Sequence, residues 1–350
     1  MPRSESKQGQ PVSLKMLAEH LNLSAATVSF VLNNAPNRSI PEVTRERVRA
    51  AARQFNYQPS LVARLLQGKR SQTIGILLPE LGEGYHAQVL AGAADVFMRE
   101  GYFFFTAHHR HRKDLVEEYP RLLRQRGVEG ILTIDTRLET ALDIPTVTVA
   151  SHKTLAGTTN ILLDHDRAAE LALGHLVRNG HKKIVFMRGS SFSSDSNSRW
   201  RAIIRVAHVL GLDVPESHVI RLEKDVNTPE LGYPAMTQML MRHRDFTAVL
   251  CFNDVSAIGC VRALHDAGLN VPKQVSVIGF DDIQSASFYV PSLTTIRQPL
   301  AHMGSTAATL LLKKLRGEHT ESHVKIEPEL IIRESTASLG DTKTRGRKKT

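Results

Sequence analysis

The chain has 350 residues, of which 41% are hydrophobic and 23% are charged, an ordinary globular composition with room for two or three domains. This composition argues against a disordered chain. Because there is no run of about 18 apolar residues for a membrane span, and no apolar signal peptide at the N-terminus, we expect a cytoplasmic protein.

The net charge of +10 is unevenly placed. Residues 1–72 carry eleven Lys and Arg against four Asp and Glu, and residues 341–350 carry five against one. Subtracting these +7 and +4 leaves −1 for residues 73–340. Basic ends on a near-neutral body favour a nucleic-acid partner, since phosphate neutralisation drives such binding, although a solvated charged surface has the same composition.

The first predicted elements are two short helices around a tight turn. Asn22 tolerates the left-handed conformation that ends a helix, and Ser24 can cap the next one. In the first helix the apolar face consists of Leu14, Leu17, Ala18 and Leu21. In the second helix the inner residues are Val28, Val31 and Leu32, and the outer ones are Ala25, Ala26, Ser29, Phe30 and Asn33. The pattern indicates a helix-turn-helix whose outer face meets the major groove, or a helical hairpin in an unrelated core.

A third helix is predicted to open at Pro41 and to complete a small three-helix core. After it, Ser60 can cap and Gly68 can stop a helix of about two turns, which is unstable alone in water. Arg64, Lys69 and Arg70 suit a phosphate-rich partner. We interpret this segment as a hinge that becomes helical when held; a plain charged linker is the alternative.

From Thr73 the chain alternates between strand-like and helix-like segments, which predicts parallel sheets in two lobes. The strand-like runs are T-I-G-I-L-L-P, Y-F-F-F-T-A, G-I-L-T-I, P-T-V-T-V, K-I-V-F-M-R-G, T-A-V-L-C-F-N, V-S-V-I-G-F-D and L-T-T-I-R-Q-P. The helix-like segments include 86–100, 115–126, 166–179, 199–210 and 255–267.

The predicted fold is therefore α/β: an all-α head, a hinge helix and a two-lobed body of parallel sheets. The boundaries we expect are a flexible N-terminus at 1–11, a helix-turn-helix domain at 12–58, a hinge and linker at 59–72, the body at 73–335 and a disordered basic tail at 336–350. Within the body, lobe one takes about 73–161 plus 294–325, and lobe two about 162–293.

Ligands of open α/β sheets bind beyond the carboxyl ends of the strands. The candidate residues at these ends are Pro79 to Tyr85, Asn253 with Asp254, and Asp281 with Asp282. We expect Asp254 to cap the following helix instead of touching a ligand.

Several ordered motifs resemble the lactose-repressor and galactose-repressor family of bacterial transcription regulators, from about Val12 to Ser335. They are S-A-A-T-V-S-F-V-L-N, N-Y-Q-P-S-L-V-A-R-L-L-Q-G-K-R-S-Q-T-I-G, G-H-K-K-I-V-F, F-N-D-V-S-A-I-G, V-P-K-Q-V-S-V-I-G-F-D-D and S-L-T-T-I-R-Q-P. The resemblance implies a usually dimeric protein with a head that binds double-stranded operator DNA of pseudo-palindromic sequence, and a body resembling periplasmic sugar-binding proteins.

For the DNA contacts, the resemblance implies base readout by Ala25, Ala26, Ser29 and Phe30, with Thr27 close to DNA, and places Ala63 and Leu66 in the minor groove. Leu66 would be the apolar wedge that unstacks a base step. Phe30 stands where the family often has a basic residue. Since the two alanines offer no hydrogen bonds, we expect contacts with thymine methyls, and half of the specificity to come from the hinge and DNA shape.

For the effector, the resemblance matches Arg199 to the family's effector-binding arginine and Asp281 to the aspartate that faces it. A donor fork and a carboxylate can each take two adjacent hydroxyls, as in a sugar. Asn253 is expected beside them, and Tyr85 and His86 in an aromatic slot. Ala202 replaces a usual glycine, and the polar approach S-S-F-S-S-D-S-N-S is long, so the effector's identity stays open.

The remaining candidates have structural interpretations. Cys251 and Cys260 are expected to be buried, reduced thiols, and the histidines of H-H-R-H-R to lie in a solvated loop and not in a metal site. Asp164 and Asp166 are expected to start a helix. Trp200 either stacks on a ligand or packs between the lobes.

The sequence contains no G-x-G-x-x-G, P-loop, H-E-x-x-H or G-x-S-x-G motif, and we expect no cofactor and no enzymatic activity. The predicted function is a homodimeric transcription regulator, a repressor, controlled by a small polar effector such as a sugar. The alternatives are a small-molecule-binding protein with a vestigial head, or a cleft adapted to catalysis.

Overall fold

The computed structural model describes residues 12–32, 38–57, 70–82, 84–151, 153–191, 193–223 and 228–340. By its internal contacts the chain divides into two units, Met1–Ser71 and Gln72–Thr350, which we call the head and the body. Five predicted hinge residues and one predicted recognition residue lie outside the described residues: Ser60, Ala63, Arg64, Leu66 and Lys69, and Asn33. The same holds for the predicted termini at 1–11 and 341–350.

The head contains the predicted helices, α1 (Leu14–Leu21), α2 (Ala25–Leu32) and α3 (Glu42–Gln54). Asn22 ends α1 in the left-handed conformation, with φ 54°. The Oγ of Ser24 accepts the backbone N–H of Thr27 at 3.0 Å and so caps α2, as predicted. The buried core consists of Leu17, Ala18, Leu21, Val28, Val31, Val48 and Ala51.

The body contains twelve strands and seven α-helices in its described residues. The strands are β1 (Thr73–Leu78), β2 (Phe103–His108), β3 (Gly130–Ile134), β4 (Thr146–Val149), β5 (Thr159–Leu163), β6 (Ile184–Arg188), β7 (Val219–Arg221), β8 (Ala248–Leu250), β9 (Ser276–Asp281), β10 (Thr294–Arg297), β11 (His323–Ile326) and β12 (Glu329–Ile331). The helices are α4 (Tyr85–Arg99), α5 (Lys113–Gln125), α6 (His165–Arg178), α7 (Ser196–Val209), α8 (Tyr233–Arg242), α9 (Asp254–Asp266) and α10 (Leu300–Leu315).

Lobe one is built on a parallel sheet of order β11-β5-β4-β3-β1-β2. Alternate residues of β1 face opposite sides: Ile74, Ile76 and Leu78 pack with α4 and α10, and Leu77 packs with α5. The two helices on one side approach closely, because a Cβ at Gly304 would lie 1.9 Å from the carbonyl oxygen of Val89. Both faces of this sheet are therefore covered by helices.

Lobe two is built on a sheet of order β12-β10-β9-β8-β6-β7, in which only the β10–β12 pair is antiparallel among the described pairs. Helices α8 and α9 cover one face and α6 and α7 the other. The two-lobed parallel α/β body predicted from the sequence is confirmed. Cys251 and Cys260 are buried in the same apolar cluster and are not disulfide-bonded.

The expected lobe boundary at 294 differs from the structure. Strand β10 pairs in parallel with β9, and Ile296 is buried in the core of lobe two. The chain returns to lobe one only with α10, adds β11 there, and crosses back to form β12. Because all the strand-like runs have a similar composition, the sequence does not indicate which sheet each run joins.

The residues after β12 are hydrogen-bonded to lobe two. Ser335 is fully buried, and its Oγ donates to the carbonyl of Val277 at 2.6 Å. The carbonyl of Ala337 lies 2.9 Å from Nε2 of His181, and the N–H of Leu339 donates to the carbonyl of Asn179 at 2.9 Å. Residues 336–340, expected as the start of a disordered tail, are thus bonded to the body. None of the helices in the described part of the chain is long and apolar enough to cross a membrane.

Candidate functional sites

The N-terminal turn of α2 is exposed. Ser24, Ala25 and Ala26 are exposed, while Thr27 and Ser29 are half-buried. Besides its capping bond, Ser24 places its hydroxyl 2.8 Å from that of Thr27. The turn therefore presents small side chains with methyl and hydroxyl groups, which can contact thymine methyls and base edges in a major groove.

The Phe30 side chain, predicted on the outer face of α2, is partly covered by the protein. It is half-buried, and the guanidinium carbon of Arg38 lies 4.6 Å from the centre of its ring. Such a cation–π contact holds the ring against the protein and leaves the arginine charge beside it.

In the body, four of the five predicted effector residues are related to one another. Arg199 and Asp281 act electrostatically on Tyr85, and His86 packs on its ring. The Tyr85 hydroxyl is buried without a hydrogen-bond partner among the described residues, and Arg199 and Asp281 act on it electrostatically. His86, the next residue on α4, is buried and packs edge-to-face on Tyr85 with 5.3 Å between ring centres. The strands and helices thus bring together residues far apart in the chain.

Arg199, on α7, is held by the protein. Its Nη1 donates to the carbonyl of Phe252 at 2.7 Å, and Nη2 donates to Asp195 at 3.3 Å. Its guanidinium carbon lies 3.8 Å from the ring centre of Phe280 and 4.7 Å from that of Phe252. Nε is buried and has no partner among the described residues. Both terminal nitrogens of the guanidinium predicted to bind a ligand are therefore already hydrogen-bonded to the protein.

Asp281 ends β9 in a rare backbone conformation, with φ 117°, and Asp282 follows with φ 57°. One oxygen of Asp281 accepts the side-chain amide of Gln298 at 2.6 Å. Burial raises the pKa of the Asp281 carboxyl well above its usual value, although the Arg199 charge opposes this. Asp282 instead binds Arg297 and Arg333, at 2.7 and 2.6 Å. Non-glycine residues in such conformations concentrate at ligand sites.

Asn253, and not Asp254, caps the helix that follows β8. Asn253 caps α9: its side-chain oxygen accepts the N–H of Ser256 at 3.0 Å. Asp254, expected as the cap, is fully buried and accepts the hydroxyl of Thr295 at 2.6 Å and the N–H of Ile283 at 2.9 Å. Burial raises the pKa of Asp254 to about 7. The prediction that Asp254 caps the helix is wrong, because its carboxylate reaches across to β10 and the loop after β9.

A polar clamp joins the two lobes. Asp135, at the end of β3 in lobe one, accepts both the backbone N–H and the hydroxyl of Ser194 from lobe two, each at 2.7 Å. The Ser194 hydroxyl also contacts the carbonyl of Ala150 after β4. Burial would raise the pKa of Asp135, but His86 and the Ser194 N–H hold it below its usual value. Sequence reasoning missed Asp135, although it follows a predicted strand and met the same criterion as Asp281.

Asp195 and His165 extend this polar region in lobe two. Oδ2 of Asp195 lies 3.2 Å from Nε2 of His165. Burial opposes ionisation of Asp195, but Arg199 and His165 hold its pKa well below the usual value. His165 Nδ1 and the hydroxyl of Ser196 are buried without partners among the described residues. Orphaned polar atoms from both lobes indicate a site that a polar ligand would satisfy.

Trp200 is half-buried in lobe two, where it packs edge-to-face on Phe186 with ring centres 6.3 Å apart, and the Arg188 guanidinium lies 5.5 Å from its ring centre. Stacking of Trp200 on a ligand stays a prediction. Asp164 caps α6 by accepting the N–H of Arg167 at 3.0 Å, which confirms that it starts a helix.

The solvated-loop prediction is wrong for His109, which is 1% exposed. Its Nε2 lies 3.0 Å from the hydroxyl of Thr136, and its Nδ1 accepts the N–H of His111 at 3.1 Å. Burial lowers the pKa of His109 to about 4, so the ring is neutral and structural. Within the described ranges no group of three His, Cys, Asp or Glu is placed to hold a metal ion.

Comparison with known proteins places these sites in a family. Residues 13–60 match the model of bacterial regulatory proteins of the lacI family, and residues 173–336 match the model of the periplasmic binding protein-like domain. The HTH-type transcriptional repressor PurR of Haemophilus influenzae (strain ATCC 51907 / DSM 11121 / KW20 / Rd) is 31% identical over 342 residues, covering 93% of this chain and 99% of the relative. The chain belongs to the lacI family of bacterial regulatory proteins.

Solved structures agree with this membership. A lac repressor dimer bound to operator and the anti-inducer ONPF is 28% identical, with a TM-score of 0.83 over 94% of this chain and all of the other. A LacI transcriptional regulator from Alkaliphilus metalliredigens QYMF, complexed with D-xylulofuranose, is 26% identical, with a TM-score of 0.67 over 76% of this chain and 100% of that one. As a lacI-family protein with both parts, the chain is an effector-controlled transcription regulator.

Proposed function

We propose that this lacI-family regulator is a homodimeric repressor that binds a pseudo-palindromic operator and is controlled by a small polyhydroxyl effector in the cleft between its lobes. The observation that carries the proposal is a set of buried, unpartnered polar atoms in both lobes. Tyr85 in lobe one, and Arg199 and Ser196 in lobe two, each have a buried polar atom without a hydrogen-bond partner among the described residues, and Arg199 acts electrostatically on Tyr85. A ligand bound in the cleft would contact both lobes and bias their relative arrangement.

For DNA, the proposed major-groove residues are Ser24, Ala25, Ala26, Thr27, Ser29, Phe30 and Asn33. The proposed hinge contacts are Ser60, Ala63, Arg64, Leu66 and Lys69. Support comes from the exposed N-terminal turn of α2 and from the relative whose structure contains operator DNA. Arg38, beside Phe30, adds a cation close to this turn.

For the effector, the proposed contacts are Tyr85, His86, Arg199 and Asp281, joined by Asp135, Asp195 and His165. Asn253 is assigned a supporting role, since its oxygen already caps α9. Relatives bound to D-xylulofuranose and to ribose support a carbohydrate-like ligand.

For the dimer, lobe two offers an exposed apolar surface that we assign to a second copy of this chain. Phe288 and Val290 are 77% and 92% exposed, and Tyr289 and Val290 line a groove of about 730 Å³ next to α9. Exposed apolar patches of this kind mark protein interfaces. The similarity to a lac repressor dimer favours a second copy as the partner. We also propose a cytoplasmic protein without enzymatic activity, as its relatives are named repressors.

The test is a gel shift of the full-length protein with DNA from upstream of its own gene, followed by a genomic fragment library, at two salt concentrations. We expect specific binding that weakens steeply with salt, since each phosphate contact releases counterions. Absence of specific binding to every genomic fragment would contradict the proposal and favour a small-molecule-binding protein with a vestigial head.

A further inference from the structure

Among the described residues, carboxylates outnumber guanidinium groups around the buried Tyr85 hydroxyl. The carboxylates of Asp135, Asp195 and Asp281 act on it electrostatically, and the guanidinium of Arg199 opposes them. All four side chains are buried. Burying three carboxylates with one guanidinium costs free energy unless further positive charge compensates the carboxylates.

The positive charge of Arg199 is committed to lobe two. Its two terminal nitrogens bind Asp195 and the Phe252 carbonyl, and its plane is enclosed by the rings of Phe252 and Phe280. Nε remains as a donor. Arg199 therefore neutralises Asp195 more directly than it neutralises the other two carboxylates.

Two of the carboxylates have an imidazole beside them. Nε2 of His86 lies 3.5 Å from Asp135, and Nε2 of His165 lies 3.2 Å from Asp195. Asp135 also accepts the Ser194 N–H and hydroxyl. Each of these two acids therefore has an imidazole partner within the protein.

Asp281 differs from the other two acids. Its described hydrogen bond comes from the neutral amide of Gln298, and Asp254 and Asp195 add negative charge nearby. The Arg199 charge attracts it but makes no described ion pair with it. Asp281 is thus the carboxylate in the cleft whose charge is least compensated among the described residues.

Building on the proposed function, we propose that the effector carries a protonated amine among its hydroxyls, as in an amino sugar, and that the ammonium group pairs with Asp281. The Tyr85 oxygen accepts a second ammonium N–H, and Nε of Arg199 donates to a ligand hydroxyl. An ammonium group has three donors and no acceptor, which matches a site rich in acceptors. An anionic ligand would add negative charge to the three acids.

The test measures binding of matched ligands to the full-length protein by calorimetry and thermal shift at neutral pH. The amines are D-glucosamine, D-galactosamine and D-mannosamine; the neutral parents are D-glucose, D-galactose and D-mannose; the acids are D-glucuronate and D-galacturonate. We expect at least one amine to bind about tenfold or more tightly than its parent, and the acids not to bind. Asp281→Asn should remove this preference, and Tyr85→Phe should reduce it.

Asp213→Asn is the matched control, because it makes the same Asp-to-Asn change at an exposed position. It should keep the preference for the amine. Binding of a neutral parent or an acid as tightly as the amine, or no response to any of the three amines at millimolar concentration, would overturn the proposal. The proposed function fails separately, in the DNA-binding assay, since operator binding without effector does not depend on the ligand's charge.

Discussion

Neighbouring residues at the end of a strand can take opposite roles that their side chains alone do not reveal. Asn253 and Asp254 both follow β8, and both can cap a helix. Asn253 occupies the cap, which turns Asp254 into the first turn of α9 and directs its carboxylate to Thr295 and Ile283. Because Ile283 lies two residues after Asp281, Asp254 positions the loop that presents the proposed effector carboxylate.

Asp254→Asn tests this buried acid through the pH dependence of stability. The pKa of Asp254 in the folded protein, about 7, lies above its usual value of 3.8, so the folded state holds a proton that the unfolded state releases. The contribution of Asp254 to stability is therefore present at low pH and is lost as pH rises from about 4 to about 7.

The measurement is the free energy of unfolding of both proteins between pH 4 and 8. We expect the wild type to lose stability relative to Asp254→Asn by about 1 kcal/mol for each pH unit in this window. A difference between the two proteins that does not change with pH would contradict the account.

Ser194→Ala tests the clamp between the lobes. The substitution removes the hydroxyl that lies 2.7 Å from Asp135 and leaves the backbone N–H in place. We expect the body to lose about 1–3 kcal/mol of stability, because a buried carboxylate loses a donor. Hydrogen exchange should also rise near Asp135. Ser217→Ala, at an exposed serine, is the control; equal losses in the two variants would exclude a clamp.

At the scale of elements, the continuous apolar runs predicted strands correctly, and four further strands were missed. All eight strand-like runs contain strands, whereas β5, β7, β11 and β12 were not predicted. Strand β7 has three residues, and β11 reads H-V-K-I, so neither carries a continuous apolar run. Edge strands of this kind form because a neighbouring strand offers free backbone groups, which a local pattern does not show.

The hinge prediction lies outside the described residues and is tested on DNA. With two alanines and an Arg38-bound Phe30 on α2, much of the sequence specificity is expected to come from the hinge. We expect Leu66→Ala to reduce operator affinity by about tenfold or more and to weaken discrimination between sites, because an apolar wedge no longer supports the bend. Fluorescence anisotropy with operator and shuffled DNA measures both quantities. Unchanged affinity and site preference would contradict this role.

Across the whole molecule, the expectation that ligands bind beyond the carboxyl ends of the strands predicted candidate effector residues of the body. It did not predict which other residues these side chains contact. Tyr85, Arg199 and Asp281 were predicted from the motifs, and the structure places them in one electrostatic neighbourhood. Other contacts depend on long-range packing. Arg199 binds Asp195 and Phe252, and the bond between Asp135 and Ser194 joins the lobes. Spacing along the chain contains no signal for such contacts.

The proposed dimer surface is tested by placing a charge on it. Val290 is 92% exposed on the apolar surface of lobe two, and Val209, 81% exposed at the end of α7, serves as the control. We expect Val290→Asp to weaken self-association by about tenfold or more in sedimentation equilibrium, because burying an unpaired carboxylate is costly. Val209→Asp should associate like the wild type. Indistinguishable association of the two variants would exclude this surface.

In the proposed regulator, effector binding to the body and operator binding to the head are coupled through one molecule. The most direct test measures operator affinity with and without saturating effector, and effector affinity with and without saturating operator. We expect each affinity to change by about fivefold or more and by the same factor, because coupling free energies are reciprocal. If neither affinity changes, the body does not control the head, and the proposed regulation is wrong.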